Sequence, residues 1–136
     1  MRVVLDTNIF LSALLSDRGP PATIVDAWRA GRFELVSSQD QIDEFKRAAR
    51  YQKLRPYLPR GAVGRVVNGL RTAEVQIGRI SRGATAPDPD DDYLLALAVI
   101  ARAAFLVTGD RALLGMRKVE VTRVVSPMSF SAVLAR

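Results

Sequence analysis

The sequence predicts an α/β fold, a parallel β-sheet covered by helices on both faces. Short apolar runs such as Val3-Val4-Leu5 and Phe105-Leu106-Val107 have the length and composition of buried strands. Between them lie segments whose apolar residues recur at helical spacing, such as Ile24, Val25, Ala27 and Trp28, and later Val66, Val67 and Leu70. One segment, with Leu94, Leu95, Leu97, Val99 and Ile100, is apolar on nearly every face and is expected to be buried. Strands that alternate with helices build parallel sheets.

Residues 2–5 form the first expected strand. A helix over 8–16 follows, carrying Ile9, Phe10, Leu11, Ala13, Leu14 and Leu15, and Asp17-Arg18-Gly19-Pro20-Pro21 breaks it. A helix resumes over 23–30 and stops at Gly31. Residues 33–36 give a second strand, and Ser38 or Gln39 opens a helix that runs to Arg50. One or two further helices fall in 53–73 around Pro56 and Pro59, and 74–77 give a short third strand. After a loop over 81–89, a long helix covers 90–104, a strand 105–108, a short helix 111–114 and a last strand 119–125. Ser126-Pro127 opens a terminal helix, proline being suited to a first turn. There is no repeat, linker or low-complexity stretch, so residues 1–136 read as one domain. A domain of this size buries roughly 70% of its unfolded surface, enough for a sizeable core.

Composition narrows the chemistry. The chain has no cysteine and no histidine. That removes disulfides, thiolate zinc sites, Ser-His-Asp and Cys-His catalysis, and most zinc and copper ligation. A metal here must be held by oxygen, which favours Mg²⁺ or Mn²⁺. The sequence opens directly into strand-like residues. It shows neither a signal peptide nor an apolar run able to span a membrane, so the expected location is the cytoplasm.

The net charge of +6 is unevenly spread. Between Phe45 and Pro87 stand ten Lys or Arg and a single acid, Glu74, which leaves the rest of the chain net acidic. A polyanion held by the basic third while its backbone is cut at the acidic part accounts for this separation. A solvated arginine-rich helical surface is the plainer alternative.

The acids recur at the ends of apolar elements. Asp6 follows Val3-Val4-Leu5 and opens Asp6-Thr7-Asn8. Asp110 follows Phe105-Leu106-Val107-Thr108-Gly109. Asp88, Asp90, Asp91 and Asp92 crowd the start of the apolar helix, and Glu44 sits in Ile42-Asp43-Glu44-Phe45 near the core, beside Asp40 and Asp43. Asp6 or Asn8 could simply cap a helix, and helix-dipole stabilisation accounts for one or two of the clustered acids. Four acids in five residues exceed what capping needs, and a cation offsets their repulsion. Asp92 is the first choice of ligand there, with Asp91 close behind. Thr108 is placed to hydrogen-bond a carboxylate and fix its rotamer.

Taken together, Val3-Val4-Leu5-Asp6-Thr7-Asn8, residues 37–45 with Glu44, Asp88-Pro89-Asp90-Asp91-Asp92-Tyr93-Leu94-Leu95-Ala96-Leu97-Ala98 and Leu106-Val107-Thr108-Gly109-Asp110 resemble the PIN-domain nucleases, in the branch of VapC-like toxins of toxin–antitoxin modules. The resemblance covers nearly the whole chain. It implies a three-layer α/β/α fold with a parallel sheet ordered 3-2-1-4-5. It implies metal-dependent hydrolysis of RNA phosphodiesters by an acid quartet, Asp6, Glu44, Asp92 and Asp110; the reading of the residues themselves adds Asp91 as a further metal ligand and Asn8 and Thr108 in support. The resemblance also implies 5′-phosphate and 3′-hydroxyl products, a small antitoxin protein as partner, and often a homodimer. The exposed edge strand and residues near Leu14, Leu15 and Trp28 are candidates for such contacts, with core packing the alternative. Lys46, Arg47, Arg50, Lys53 and Arg55 lead the candidates for RNA-backbone contact, with Tyr51 and Tyr57 either stacking on bases or packing within helices.

Other classes fit less well. A haloacid-dehalogenase-like phosphatase wants Asp-x-Asp after its first strand, and here the third position is Asn8. A receiver domain needs a phospho-accepting Asp after a middle strand and a later strand-end lysine, and neither is found. A non-catalytic RNA-binding PIN module would lose acids that this chain keeps. A housekeeping RNA-processing nuclease would share the same site.

Overall fold

The computed structural model describes residues 1–79 and 92–136. Its elements are β1 (Arg2–Leu5), α1 (Thr7–Leu15), α2 (Pro20–Arg29), β2 (Glu34–Ser38), α3 (Gln39–Ala49), a single 3₁₀ turn (Arg55–Tyr57), α4 (Ala62–Arg71), β3 (Val75–Ile77), α5 (Asp92–Ala101), β4 (Phe105–Val107), α6 (Arg111–Met116), β5 (Lys118–Val119), β6 (Thr122–Val125) and α7 (Pro127–Leu134).

The six strands lie in the order β3-β2-β1-β4-β6-β5. Every neighbouring pair is parallel except β5 with β6. The parallel part keeps the expected order, with β6 in fifth place. The departure is at the edge, where residues 119–125 are not one strand. Glu120 takes a left-handed backbone with φ 54° and turns the chain back, pairing Val119 with Thr122. Hairpin turns of this kind are usually announced by Gly or Asn, and Glu120-Val121 gives no such signal.

Alternation of side chains along β1 builds the layers. Val3 and Leu5 face a core made with α1, α2, α3, α4 and α7, while Val4 faces a second core made with α5 and α6. Phe10 lies in the first core, edge-on to Trp28 at 5.9 Å and to Phe45 at 6.3 Å. The second core is filled by α5, whose residues Tyr93 to Ala98 are all buried; Ile100, in its last turn, is 53% exposed. The result is a helix layer on each side of the sheet.

Element ends have local causes. Pro20 and Pro21 start α2 rather than merely break the chain, because first-turn positions need no N–H. Helix α5 stops at Ala101 because Arg102 turns left-handed at φ 52°, three residues short of the expected end. Ser126 caps α7 by accepting from the Ser129 amide at 3.1 Å, and α7 then seats Phe130 against Phe33.

Candidate active site

From β1 the chain winds one way through β2 to β3 and the other way through β4 to β6. The switch point therefore lies between β1 and β4, where open α/β sheets keep their ligand crevice, outside the carboxyl ends of the strands. Leu5 pairs with Val107 in register, and the Asp6 amide donates to the Val107 carbonyl at 2.9 Å. The residues that emerge at this crevice are Asp6-Thr7 from β1 and Thr108-Gly109-Asp110 from β4.

Asp6 is almost fully buried, 6% exposed. Its Oδ2 accepts the Thr108 hydroxyl at 2.7 Å, and its Oδ1 accepts the Asn8 amide at 3.3 Å. Asp6 is thus the cap of α1, and Asn8 supports it through backbone N–H; Asn8 is itself an exposed residue inside the helix, not the cap. Capping uses only part of the carboxylate's capacity of about four acceptor sites.

Thr108 is fully buried, and its Oγ also accepts the Asp110 amide at 3.0 Å. Asp110 in turn caps α6, its Oδ1 receiving the amides of Ala112 at 2.8 Å and Leu113 at 3.1 Å. The two strand-end acids are tied together through one hydroxyl.

Helix α3 crosses the same end of β1. Ser38 caps it, and the buried Gln41 side chain donates to the carbonyl of Leu5, the residue before Asp6. One turn on, Glu44 is half-buried beside Asp6, Thr7 and Tyr93. Burial holds its carboxyl above the usual range, and the Asp6 charge adds to this; hydrogen bonds from Tyr93 and Thr7 and the nearby Arg47 pull the other way. Tyr93, from α5, shares a 3.0 Å hydrogen bond with Thr7 Oγ and also meets Glu44. Its phenol is pushed well above the usual range, first by burial and then by the Glu44 charge.

The neighbouring acid Asp43 faces elsewhere. It accepts from Gln39 at 2.9 Å and pairs with Arg79 at 3.1 Å, which together hold its carboxyl below the usual range.

Asp92 is the first residue of α5, next to Tyr93. Asp88, Asp90 and Asp91 lie outside the described residues. Among the described residues, no group of three or more acids closes into a metal cage. What the structure brings together is Asp6 with Glu44, and Asp6 with Asp110 through Thr108. Two carboxylates within electrostatic reach of each other, one with a raised pKa and neither in an ion pair among the described residues, offer the oxygen donors that a hard divalent cation takes.

Thr7, Tyr93 and Gln41 were not among the site residues expected from the sequence. For Tyr93 a signal existed: a hydroxyl inside an otherwise apolar helix must find a partner when buried. Thr7 and Gln41 carried no comparable signal.

Of the basic candidates, Arg47 is near enough to act on Glu44, and Lys46, Arg50 and Arg55 line a groove shared with Val63, Gly64 and Val67. Arg47, Arg50, Lys53 and Arg55 are exposed and Lys46 is half-buried, along the second half of α3 and the turn after it. Tyr51 and Tyr57 are 56% and 73% exposed, so helix packing does not account for them. Trp28, by contrast, is taken into the core and Leu14 packs against it, leaving Leu15 exposed.

Comparison with known proteins agrees with this architecture. The chain is 27% identical over 118 residues to an uncharacterized protein of Methanocaldococcus jannaschii, MJ1680, covering 86% of this chain and 76% of that one. No solved structure gives a significant match. The PIN-domain family model matches residues 2–112, a stretch that begins at β1 and ends just past Asp110. It takes in the switch point and every acid of the candidate site, and the chain belongs to the PIN-domain family.

Proposed function

We propose that this chain is a metal-dependent endoribonuclease, with Asp6, Glu44, Asp92 and Asp110 as its acid quartet and Asp91 as an additional ligand. PIN domains are generally nucleases that act on RNA and use divalent ions, which supports the general chemistry. The observation that carries the reading is the pair Asp6 and Glu44, two carboxylates near enough at the switch-point crevice for the Asp6 charge to raise the pKa of Glu44, the latter on a helix whose far half is basic.

The roles follow from the contacts. Thr108 and the Asn8 amide fix both oxygens of Asp6, so its carboxylate presents one orientation. Tyr93 and Thr7 hold Glu44 beside it. Asp110 is kept at the same crevice by its own amide bond to Thr108. Bound Mg²⁺ or Mn²⁺ would lower the pKa of water and neutralise charge on the scissile phosphate. Hydrolysis adds water across the P–O3′ bond, leaving 5′-phosphate and 3′-hydroxyl ends. Lys46, Arg47, Arg50, Lys53 and Arg55 hold the RNA backbone alongside.

In this reading residues 1–136 work as one domain. Beyond the matched residues, β6 pairs with β4 and α7 places Phe130 in the core, so the C-terminal part completes the same sheet and layer. Among the described residues no helix is long and apolar enough to cross a membrane, in keeping with a cytoplasmic enzyme. The role as toxin of a toxin–antitoxin pair, held in check by a small antitoxin and able to homodimerise, rests on the sequence resemblance. Induced expression should then arrest growth, and Asp6→Asn should relieve the arrest; no arrest would favour a housekeeping RNA-processing enzyme.

The test of the enzyme is cleavage of an end-labelled structured RNA with Mg²⁺, with Mn²⁺ and with EDTA. Cutting should need the ion and fall by at least about 10³-fold in Asp6→Asn. That variant should fold, because Asn caps helices as well as Asp. RNA that is bound but never cut would point to a non-catalytic binding module.

A further inference from the structure

Helix α4 contains two glycines, Gly64 in its first turn and Gly69 in its last, and they differ in physical cause. A Cβ on Gly69 would lie 2.6 Å from the Trp28 ring, so packing requires glycine there. A Cβ on Gly64 meets nothing within 4 Å, and the residue is exposed. Glycine is a poorer helix former than alanine. At Gly64 the fold gains nothing in return. What the missing side chain does is leave a groove open.

That groove, of ≈ 550 Å³, lies between α3 and α4. Its floor is apolar, formed by Ala49, Val63 and Val67, and Lys46, Arg50 and Arg55 are the charged residues on its walls, with no acid among them. Lys46, Ala49 and Arg50 occupy one face of α3, at spacings of three and four residues. Lys46 lies two residues beyond Glu44 on α3, and side chains so spaced face different sides of a helix, so the groove opens around α3 from the crevice, on the face turned to α4.

We infer that this groove is a nucleotide subsite, seating one base of the RNA against Ala49, Val63 and Val67 at the gap left by Gly64, with the flanking phosphates on Lys46, Arg50 and Arg55. The inference rests on the RNA reading above and adds to it where the strand is gripped. An apolar floor without hydrogen-bonding side chains suits the flat face of a base. Walls of one charge sign suit its phosphates. The exposed rings of Tyr51 and Tyr57 lie on the segment joining α3 to α4 and are available to neighbouring bases.

The experiment measures binding, not cutting. A fluorescent single-stranded RNA oligonucleotide is titrated with the full chain in EDTA, using the wild type, Gly64→Leu, Arg50→Gln, and Gly115→Leu as a control at another exposed helical glycine with open space around it. Gly64→Leu should melt no lower than the wild type and should bind RNA about ten-fold more weakly, the scale of one lost base contact. Arg50→Gln should weaken binding and reduce the slope of log K against log salt by about 0.7, one phosphate on a single strand. Affinity in both variants equal to that of Gly115→Leu would overturn the subsite. So would loss of poly-L-glutamate binding in Gly64→Leu with RNA binding intact, which would give the groove to an acidic protein segment. Weakened binding in a chain that never cuts RNA would keep the subsite and discard the nuclease; unchanged binding in a chain that cuts would do the reverse.

Discussion

The Thr108 hydroxyl donates to Asp6 at 2.7 Å and accepts from the Asp110 amide at 3.0 Å, joining two acid-bearing turns 104 positions apart in sequence through one buried oxygen. Thr108→Val keeps the shape and removes the hydroxyl. Asp6 and the Asp110 amide would each lose a partner, at a cost of about 1–3 kcal/mol in stability. Activity should fall 10–100-fold, as for other residues that orient ligands, and Thr108→Ser should recover most of both. Denaturant titration alongside RNA cleavage checks this. If the Val variant were as active as Ser, the alignment of the two acids would not depend on this hydroxyl.

Glu44 sets a conflict between stability and function. Its carboxyl titrates above the usual 4.5, mainly because of burial and then because of the Asp6 charge. A group with a higher pKa folded than unfolded binds more protons in the native state, so stability falls as pH rises from 4.5 through the folded value, and the cost is full above both. Glu44→Gln should therefore melt higher than the wild type at neutral pH in EDTA, by about 2–5 °C. The gap should close as pH is lowered towards 4.5. Added Mg²⁺ or Mn²⁺ should raise the wild-type Tm and not the variant's. Melting curves across pH, with and without the ion, read both effects, and a variant less stable at neutral pH would show that Glu44 is satisfied as a charge.

The positions of Asp6 and Asp110 were legible because each follows an apolar run that can only be a buried strand. That the two runs are neighbours, with the switch point between them, is a property of strand order; here only the resemblance conveyed it. Contacts such as Thr7 with Tyr93, 86 positions apart, leave no local trace. The β5–β6 turn escaped because a Glu takes the left-handed position usually marked by Gly. Gly64 and Gly69 look alike in sequence, and only the nearness of Trp28 separates them.

Tyr93 is the one polar side chain described on the buried face of α5, and its hydroxyl reaches both Thr7 and Glu44. Tyr93→Phe keeps the ring and removes the bond. Thr7 keeps Glu44 as an acceptor, so the loss in stability should be about 1 kcal/mol. Glu44 would lose one of the two groups that hold it, and kcat should drop about ten-fold with KM little changed. Steady-state kinetics on a fixed RNA separates these parameters. A rise in KM alone would place Tyr93 in RNA contact instead.

Gly69→Ala tests whether α4 is set by packing against Trp28. Helix propensity alone favours the alanine by about 0.5–1 kcal/mol. Its methyl would lie 2.6 Å from the indole, which is itself held edge-on by Phe10 and buried. The ring cannot swing away without opening the core, and overpacking of this kind costs about 1–3 kcal/mol. The packing term exceeds the propensity term, so the variant should be less stable by about 1–2 kcal/mol. The urea midpoint should fall with an unchanged m-value, while Gly64→Ala, under the same propensity and with no clash, should move it upward. If both alanines stabilised the chain, α4 would be free to slide on α2, and the groove wall that it provides would not be fixed.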